Sequence, residues 1–113
     1  MFDDVTSVAL RSAMNGLAAR QRTIADNVAN IQTPGFRAGR VQFEEALRSA
    51  VDSGSGFAAP SVARSLEPTR MDGNNVNLDT ETLNHIDTGL RYQLVVRATD
   101  HQFSLLRTSM STA

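Results

Sequence analysis

NVANIQTPGF, residues 27–36, separates a first part of the chain that is patterned as a helix from a second part that is less regular. Proline lacks the amide hydrogen that a helix interior requires and disfavours the helical conformation of the preceding residue, so a helix must end near Thr33. Pro34 and Gly35 suit the two central positions of a type II turn, in which glycine supplies a positive φ. Asn30 is placed to bond carbonyls that the last helical turn leaves open. The predicted turn motif comprises Asn27, Asn30, Thr33, Pro34, Gly35 and Phe36.

An apolar seam of heptad type precedes this motif and predicts a helix over residues 5–31. The seam advances in alternating steps of four and three, which suits packing against another helix. The helix would be about 40 Å long at ~1.5 Å per residue, longer than a compact domain of this size needs. Asn27 lies one turn before Asn30, so both amides are expected on one face. The predicted packing positions are Leu10, Met14, Leu17, Gln21, Ile24, Val28 and Ile31.

The middle of the chain is predicted to be mostly irregular. Residues 37–40 are polar and flexible, and apolar residues at helical spacing predict a short helix over residues 41–51. Residues 52–56 have the glycine and serine content of a linker, and residues 57–71 are expected to be extended or irregular. Residues 72–75, with the sequence DGNN, can form a tight turn with positive φ values.

A second long helix is predicted over residues 78–110, with Asn77 or Asp79 as its cap and Glu81 in its first turn. Two overlapping apolar series give this helix a face that is broader than one partner helix would cover. The predicted packing positions, including a threonine that interrupts the second series, are Leu83, Ile86, Leu90, Leu94, Tyr92, Val96, Thr99, Phe103, Leu106 and Met110.

The predicted fold class is mostly α, with two long chain-terminal helices packed as an antiparallel, coiled-coil-like pair. A turn, a short helix and an irregular or extended middle segment join them. The 113 residues are expected to form a single domain, divided into an N-terminal helix (1–32), a linking segment (33–77) and a C-terminal helix (78–113). Pairing Leu10 with Met110 would place Gln21 opposite Thr99, which predicts a polar layer within the chain or between neighbours.

Composition argues against several functions. A formal net charge of −1 gives no electrostatic basis for binding nucleic acid, and the absence of cysteine excludes disulfides and thiolate metal sites. The two histidines, His85 and His101, are too far apart for a local metal pair, and Asp100 does not face the same point as His101 on a helix. No catalytic, cofactor-binding or metal-binding residue and no small-molecule substrate is predicted. The acidic start of the chain does not resemble a secretory signal.

Several segments resemble one bacterial family. IADNVAN (24–30) followed by TPGFR (33–37) is similar to the N-terminal signature of flagellar rod, hook and hook-associated proteins. DGNNVNLDTE (72–81), LRYQ (90–93) and FSLLR (103–107) are similar to the proximal rod proteins of that family.

This resemblance covers residues 10–47 and 72–110 and leaves residues 48–71 unmatched. It implies a structural subunit rather than an enzyme, exported without a cleaved signal by the type III route and located in the periplasmic rod of the flagellar basal body. It also implies self-association in a helical array and contacts with other flagellar rod subunits, the membrane ring and the export-gate or rod-adaptor proteins. Alternatives are a sister rod protein of the family, or a helical adaptor or export chaperone that binds a partner helix. The adaptor explains the seams but not the turn motif.

Overall fold

The computed structural model describes residues 4–112, whose elements follow the order helix, strand, helix, strand, helix. The elements are α1 (Val5–Ala29), β1 (Gly39–Gln42), α2 (Glu44–Asp52), β2 (Ser61–Arg64) and α3 (Leu78–Thr112). The molecule is elongated, with extents of 66 × 26 × 14 Å. The predicted fold class, mostly helical with two long terminal helices and a small middle, is confirmed.

Both long helices begin at side-chain caps. Asp4 accepts a hydrogen bond from the Ser7 amide (2.8 Å) at the start of α1, and this bond is the main cause that lowers the pKa of the exposed Asp4 carboxyl. Asn77 accepts from the amides of Asp79 (2.9 Å) and Thr80 (3.3 Å) at the start of α3, as one of the two predicted caps. Side-chain oxygens satisfy amides that a helix start otherwise leaves open.

The two long helices run antiparallel. Near the end of α1, Asn27 Nδ2 donates to Glu81 Oε2 (3.2 Å) in the first turn of α3, whereas near its start Ser7 Oγ accepts from Gln102 Nε2 (3.5 Å). These contacts fix a register in which the residue numbers of facing positions add up to about 109. In the part of the chain described, no helix is long and apolar enough to cross a membrane.

The predicted pairing of Gln21 with Thr99 is wrong within the chain. Gln21 bonds His85 instead, through Oε1 to the ring Nδ1 (2.8 Å) and through Nε2 to the backbone carbonyl (3.3 Å). Thr99 bonds the carbonyl of Val95 in its own helix (2.9 Å). The polar contact between Asn27 and Glu81 sets the register, which the apolar spacing alone did not reveal. A layer between neighbouring subunits stays a prediction.

The middle segment is more ordered than predicted. β1 pairs antiparallel with β2, so that Gly39 faces Arg64 and Gln42 faces Ser61. The prediction of flexible chain over residues 37–40 is wrong, because Ala38 is fully buried and Gly39 begins the strand. The short helix begins at Glu44 rather than at residue 41. Long-range hydrogen bonds to this segment override its local propensity for loop.

The small core lies where the two-stranded sheet of β1 and β2, which we call the hairpin although α2 lies in its connection, and α2 meet the two long helices. Leu17, Val41 and Phe43 are each no more than 5% exposed and form its centre. Ala19, Leu47 and Val95 pack around them. A Cβ on Gly16 would lie 2.5 Å from the Phe43 ring, so only glycine lets the ring lie against α1.

Candidate functional site

The turn motif at the end of α1 adopts the predicted turn. The amide of Phe36 donates to the carbonyl of Thr33 (3.2 Å), and Gly35 has a φ of 76°, as the second central position of a type II turn requires. Pro34 occupies the first central position. The Gly35 amide donates to the carbonyl of Asp72 (2.8 Å), which joins this turn to the one before α3. Phe36 is half-buried beside the guanidinium of Arg64, 5.5 Å from its ring centroid.

Asn27 is fully buried and pairs with both backbone groups of Gly39. Its Nδ2 donates to the Gly39 carbonyl (3.0 Å), and its Oδ1 accepts from the Gly39 amide (2.8 Å). An amide side chain has one donor and one acceptor group side by side, so it can replace a neighbouring strand at this position. The expectation that Asn27 would share a face with Asn30 missed this long-range role, for which the local sequence gives no signal.

Glu81 is a buried carboxylate held by two partners. It is 0% exposed and pairs with Arg40 through Oε1 and Nη1 (2.6 Å), while Oε2 accepts from Asn27. Arg40 also donates to the carbonyl of Gly39 (3.2 Å). A buried charge is tolerated only when it is paired and hydrogen-bonded, so removal of either partner is costly. The sequence predicted only a helix-dipole role for Glu81.

Asn30 and Asn74 close the open end of α1. Asn30 Nδ2 donates to the carbonyl of Asp26 (2.8 Å), as predicted, and its Oδ1 accepts from the Thr33 hydroxyl (3.0 Å). Asn74, which is fully buried, donates from Nδ2 to the carbonyls of Asn30 and Thr33, both at 2.8 Å. These bonds satisfy carbonyls that would otherwise lack partners. They also tie the segment before α3 to the end of α1.

Asn75 likewise bonds backbone groups, here those that flank the hairpin. Its Oδ1 accepts from the Ala38 amide (2.7 Å), and its Nδ2 donates to the carbonyls of Ser65 (3.2 Å) and Glu67 (3.1 Å).

In the neighbouring turn only Gly73, with a φ of 85°, has a positive φ, so the prediction of several positive values is wrong. We call Asn27, Asn30, Asn74 and Asn75 the asparagine cluster.

The chemistry of this cluster is structural. It consists of amides, backbone groups and one ion pair, with no arrangement of nucleophile and base. Among the described residues, no group of three or more histidines, cysteines and carboxylates could hold a metal ion. The cluster joins the end of α1, the start of α3 and the hairpin, and so sets the geometry of the helix pair.

An ionic network joins α2 to both long helices. Glu44 accepts from Arg20 at 2.6 and 2.8 Å and from Arg91 at 3.4 Å, and Arg91 also pairs with Asp87 (3.0 Å). The hydrogen bond from Arg20 lowers the pKa of the Glu44 carboxyl to about 2. Arg20 also lies 5.0 Å from the Phe43 ring centroid. The network holds α2 beside the core.

The predicted packing positions of α1 lie at different depths. Leu17 and Ile24 are buried, and Val28 is 39% exposed. The remaining four are half-buried: Leu10, Met14, Gln21 and Ile31.

The first apolar series of α3 faces away from α1. The inner positions of α3 recur every seven residues as Glu81, Thr88, Val95 and Gln102, which are the positions directed toward α1 and the core. A shift of two residues corresponds to about 200° around a helix, so positions such as 83 and 90 lie on the opposite side. We call the apolar residues there the outward row: Leu83, Ile86, Leu90 and Leu94, which are 68%, 53%, 58% and 66% exposed.

The second apolar series of α3 flanks the contact with α1 and is partly exposed. Its residues are Tyr92 (37%), Val96 (37%), Phe103 (45%) and Met110 (71%), together with half-buried Thr99 and Leu106.

A groove of about 340 Å³ lies between the start of α1 and the last third of α3. Leu10 and Met14 line it from α1, and Phe103 and Leu106 line it from α3. We call this the terminal groove.

These features define a class of protein: an elongated helical structural subunit with apolar helix surfaces that its own chain leaves exposed. Residues 9–37 match the family described as Flagella basal body rod protein. The chain is 32% identical over 111 residues to the flagellar basal body rod protein FlgB of Borrelia hermsii, covering 77% of this chain and 82% of the relative. It is 30% identical over 106 residues to FlgB of Yersinia enterocolitica, covering 74% of this chain and 77% of the relative. It is 29% identical over 125 aligned positions to FlgB of Escherichia coli (strain K12), covering 88% of this chain and 90% of the relative.

The chain belongs to the FlgB family of flagellar basal body rod proteins. It is a structural subunit of the flagellar basal-body rod, as the resemblance implied. The family is one of structural components, and nothing favours the alternative of a free-standing adaptor or chaperone.

Proposed function

We propose that this subunit occupies the proximal rod, where its terminal helices polymerise into the hollow shaft between the membrane ring with its export gate and the distal rod. In this proposal residues 1–113 act as one rod-protein domain that is exported without a cleaved signal into the periplasm. Its partners are further copies, other rod subunits, and ring and export-gate or rod-adaptor proteins. FlgB relatives are named as basal body rod proteins, which supports a place in the rod.

The observation that carries the proposal is the outward row of α3. Four large apolar side chains recur on one side of the helix, each at least 53% exposed. Contiguous exposed apolar surface of this kind marks an interaction site, because water contact with it is unfavourable. The side of α3 toward α1 includes the polar residues Glu81, Thr88 and Gln102 instead. Three of the four inner positions of α3 are thus polar while its outward row is apolar, as expected for a helix that packs on neighbours.

The asparagine cluster supports the same proposal by fixing how these surfaces are presented. Its hydrogen bonds hold the end of α1, the start of α3 and the hairpin as one unit. Because the ties lie at one end of the helix pair, they set the angle at which both helices leave it. A subunit of a regular array needs this angle to be the same in every copy.

The experiment tests the outward row in cells. A strain that lacks its own copy of this protein receives the wild-type chain or Leu90→Asp, and swimming and the number of isolated basal bodies are measured. A charge at an apolar interface is strongly unfavourable, so we expect loss of swimming and at least a tenfold fall in complete basal bodies. Secretion of the chain should stay near the wild-type level, because Leu90 is exposed in the free subunit.

Leu66→Asp is the matched control, since Leu66 is 90% exposed but lies in the middle segment. We expect it to retain swimming. Normal rods with Leu90→Asp would contradict the proposal, as would an equal defect with the control.

A further inference from the structure

The outward row and the terminal groove differ in shape, and large apolar side chains contribute to both. The row is a line of convex apolar side chains on the first half of α3, and the groove is a concave apolar surface beside its last third. The row spans residues 83–94, about 17 Å at ~1.5 Å per residue. The α3 wall of the groove spans residues 99–109, about 15 Å on the same scale. The two surfaces therefore match in length, and each presents large apolar side chains.

The two surfaces cannot meet within one chain. They lie on the same helix, on different sides and about 16 residues apart, which is about 24 Å along the axis. A second copy, parallel to the first and displaced by this distance, would bring its row to the groove of the first. Its own groove would then remain open to a third copy.

We propose that the outward row of one subunit packs into the terminal groove of a second copy of this chain. In this contact Ile86 and Leu90 of one copy lie against Met14 and Phe103 of the next. Because the two surfaces differ, the contact is heterologous and does not close on itself, so it generates an open array. The inference rests on the proposed function, in which copies of this chain associate in the rod, and it adds which surfaces meet.

Cysteine pairs test this contact directly, because the chain contains no cysteine of its own. The variant Ile86→Cys/Phe103→Cys has one thiol in the row and one in the groove. A disulfide requires Cα atoms within about 7 Å, whereas these positions are about 26 Å apart along one helix. Any disulfide between positions 86 and 103 must therefore join different copies.

The variant is expressed as the only copy in cells, swimming is confirmed, and mild oxidant is added before the disulfide-linked species are separated by size. We expect a ladder of dimers, trimers and larger species joined between positions 86 and 103. Each single variant alone should remain monomeric, and a mixture of the two single variants should stop at dimers. Leu66→Cys combined with Phe103→Cys is the control for random collision and should give no ladder.

Three results would overturn the inference. Swimming cells without a ladder would show that the row does not occupy the groove. Dimers from Ile86→Cys alone would indicate a symmetric contact of row with row, and cross-links from the groove only to a different rod protein would assign the groove to that partner. If Ile86→Cys/Phe103→Cys cells do not swim, Leu83→Cys/Met14→Cys repeats the test, and oxidation of either purified variant at high concentration must give the same ladder. Failure of the wild-type chain to restore swimming would count instead against the proposed function.

Discussion

The two ends of the long helix pair are held together in different ways. At the base, the end of α1 and the start of α3 meet at Asn27 and Glu81, which are both 0% exposed and bonded to each other and to the hairpin. At the opposite end, α1 and α3 flank an apolar groove, and Gln102 reaches Ser7 over a long 3.5 Å contact. Polar groups thus set the geometry at the base, while the free end has a groove lined in part by apolar side chains.

This difference follows from what each kind of contact requires. A buried hydrogen-bond network is directional, so it specifies one arrangement and leaves costly unpaired groups in any other. Apolar contacts are non-directional, so apolar side chains can pack on any surface that removes them from water. The base can therefore fix the register of α1 against α3. At the free end, contact with water can be replaced by contact with a neighbouring subunit.

The largest expected effect comes from Asn27→Ala, which tests whether the base is the stable region. The change removes two hydrogen bonds to Gly39 and one to Glu81, and leaves the buried Gly39 amide without its partner. We expect the free energy of unfolding to fall by about 3 kcal/mol, measured by urea denaturation. Asn15→Ala, at an exposed position of the same helix, should change it by less than about 0.5 kcal/mol. Similar effects from both changes would contradict the role of the base.

Gly35→Val tests the turn that joins α1 to the base. A β-branched residue at a φ of 76° should cost about 1–2 kcal/mol in strain, although no atom lies within 4 Å of the added Cβ. We expect fewer assembled rods with export and solubility largely kept. Gly35→Asn, which tolerates positive φ better, should lie closer to wild type. Normal rods and swimming in the valine variant would show that this turn does not set the subunit geometry.

A smaller effect on the free energy of unfolding is expected from the ionic network around Glu44, which lies between the base and the free end. The pKa of Glu44 in the folded chain is lowered to about 2 from an ordinary 4.5, so its stabilisation is present above pH 4.5 and is lost as the pH falls through about 2. Because 46% of its side chain is exposed, we expect solvent screening to limit the contribution to about 1 kcal/mol or less. Unfolding of wild type and Glu44→Gln should converge as the pH is lowered over this window. A constant difference between them would contradict this assignment.

The sequence predicted the regular parts of the fold and the local parts of the motif. Heptad spacing located both long helices, and the chemistry of proline and glycine predicted the turn at Gly35. Asn30 was correctly expected to bond the last turn of α1, because its partner lies only four residues away. These features depend on neighbours in the chain, which periodicity and turn preferences describe well.

The sequence did not predict the contacts that set the register and the hairpin. Asn27 bonds Gly39, and Glu81 bonds Arg40 across 41 residues, so neither partner can be found from spacing. The predicted pairing of Gln21 with Thr99 failed for the same reason, because it assumed that apolar matching fixes the register. Val41 was assigned to a helix, whereas pairing with Val62 makes it part of a strand. Tertiary hydrogen bonds decided each of these cases.

Hydrogen exchange of backbone amides, compared between the dilute free subunit and assembled rods, tests whether the base is rigid while the free end becomes ordered only on assembly. We expect slow exchange in the free subunit at Ala38 and Gly39, whose amides are bonded by Asn75 and Asn27. We expect fast exchange over residues 99–109, where most side chains of α3 are exposed, and slow exchange there after assembly. Equal and strong protection of the base and the free end in the dilute subunit would contradict this expected difference.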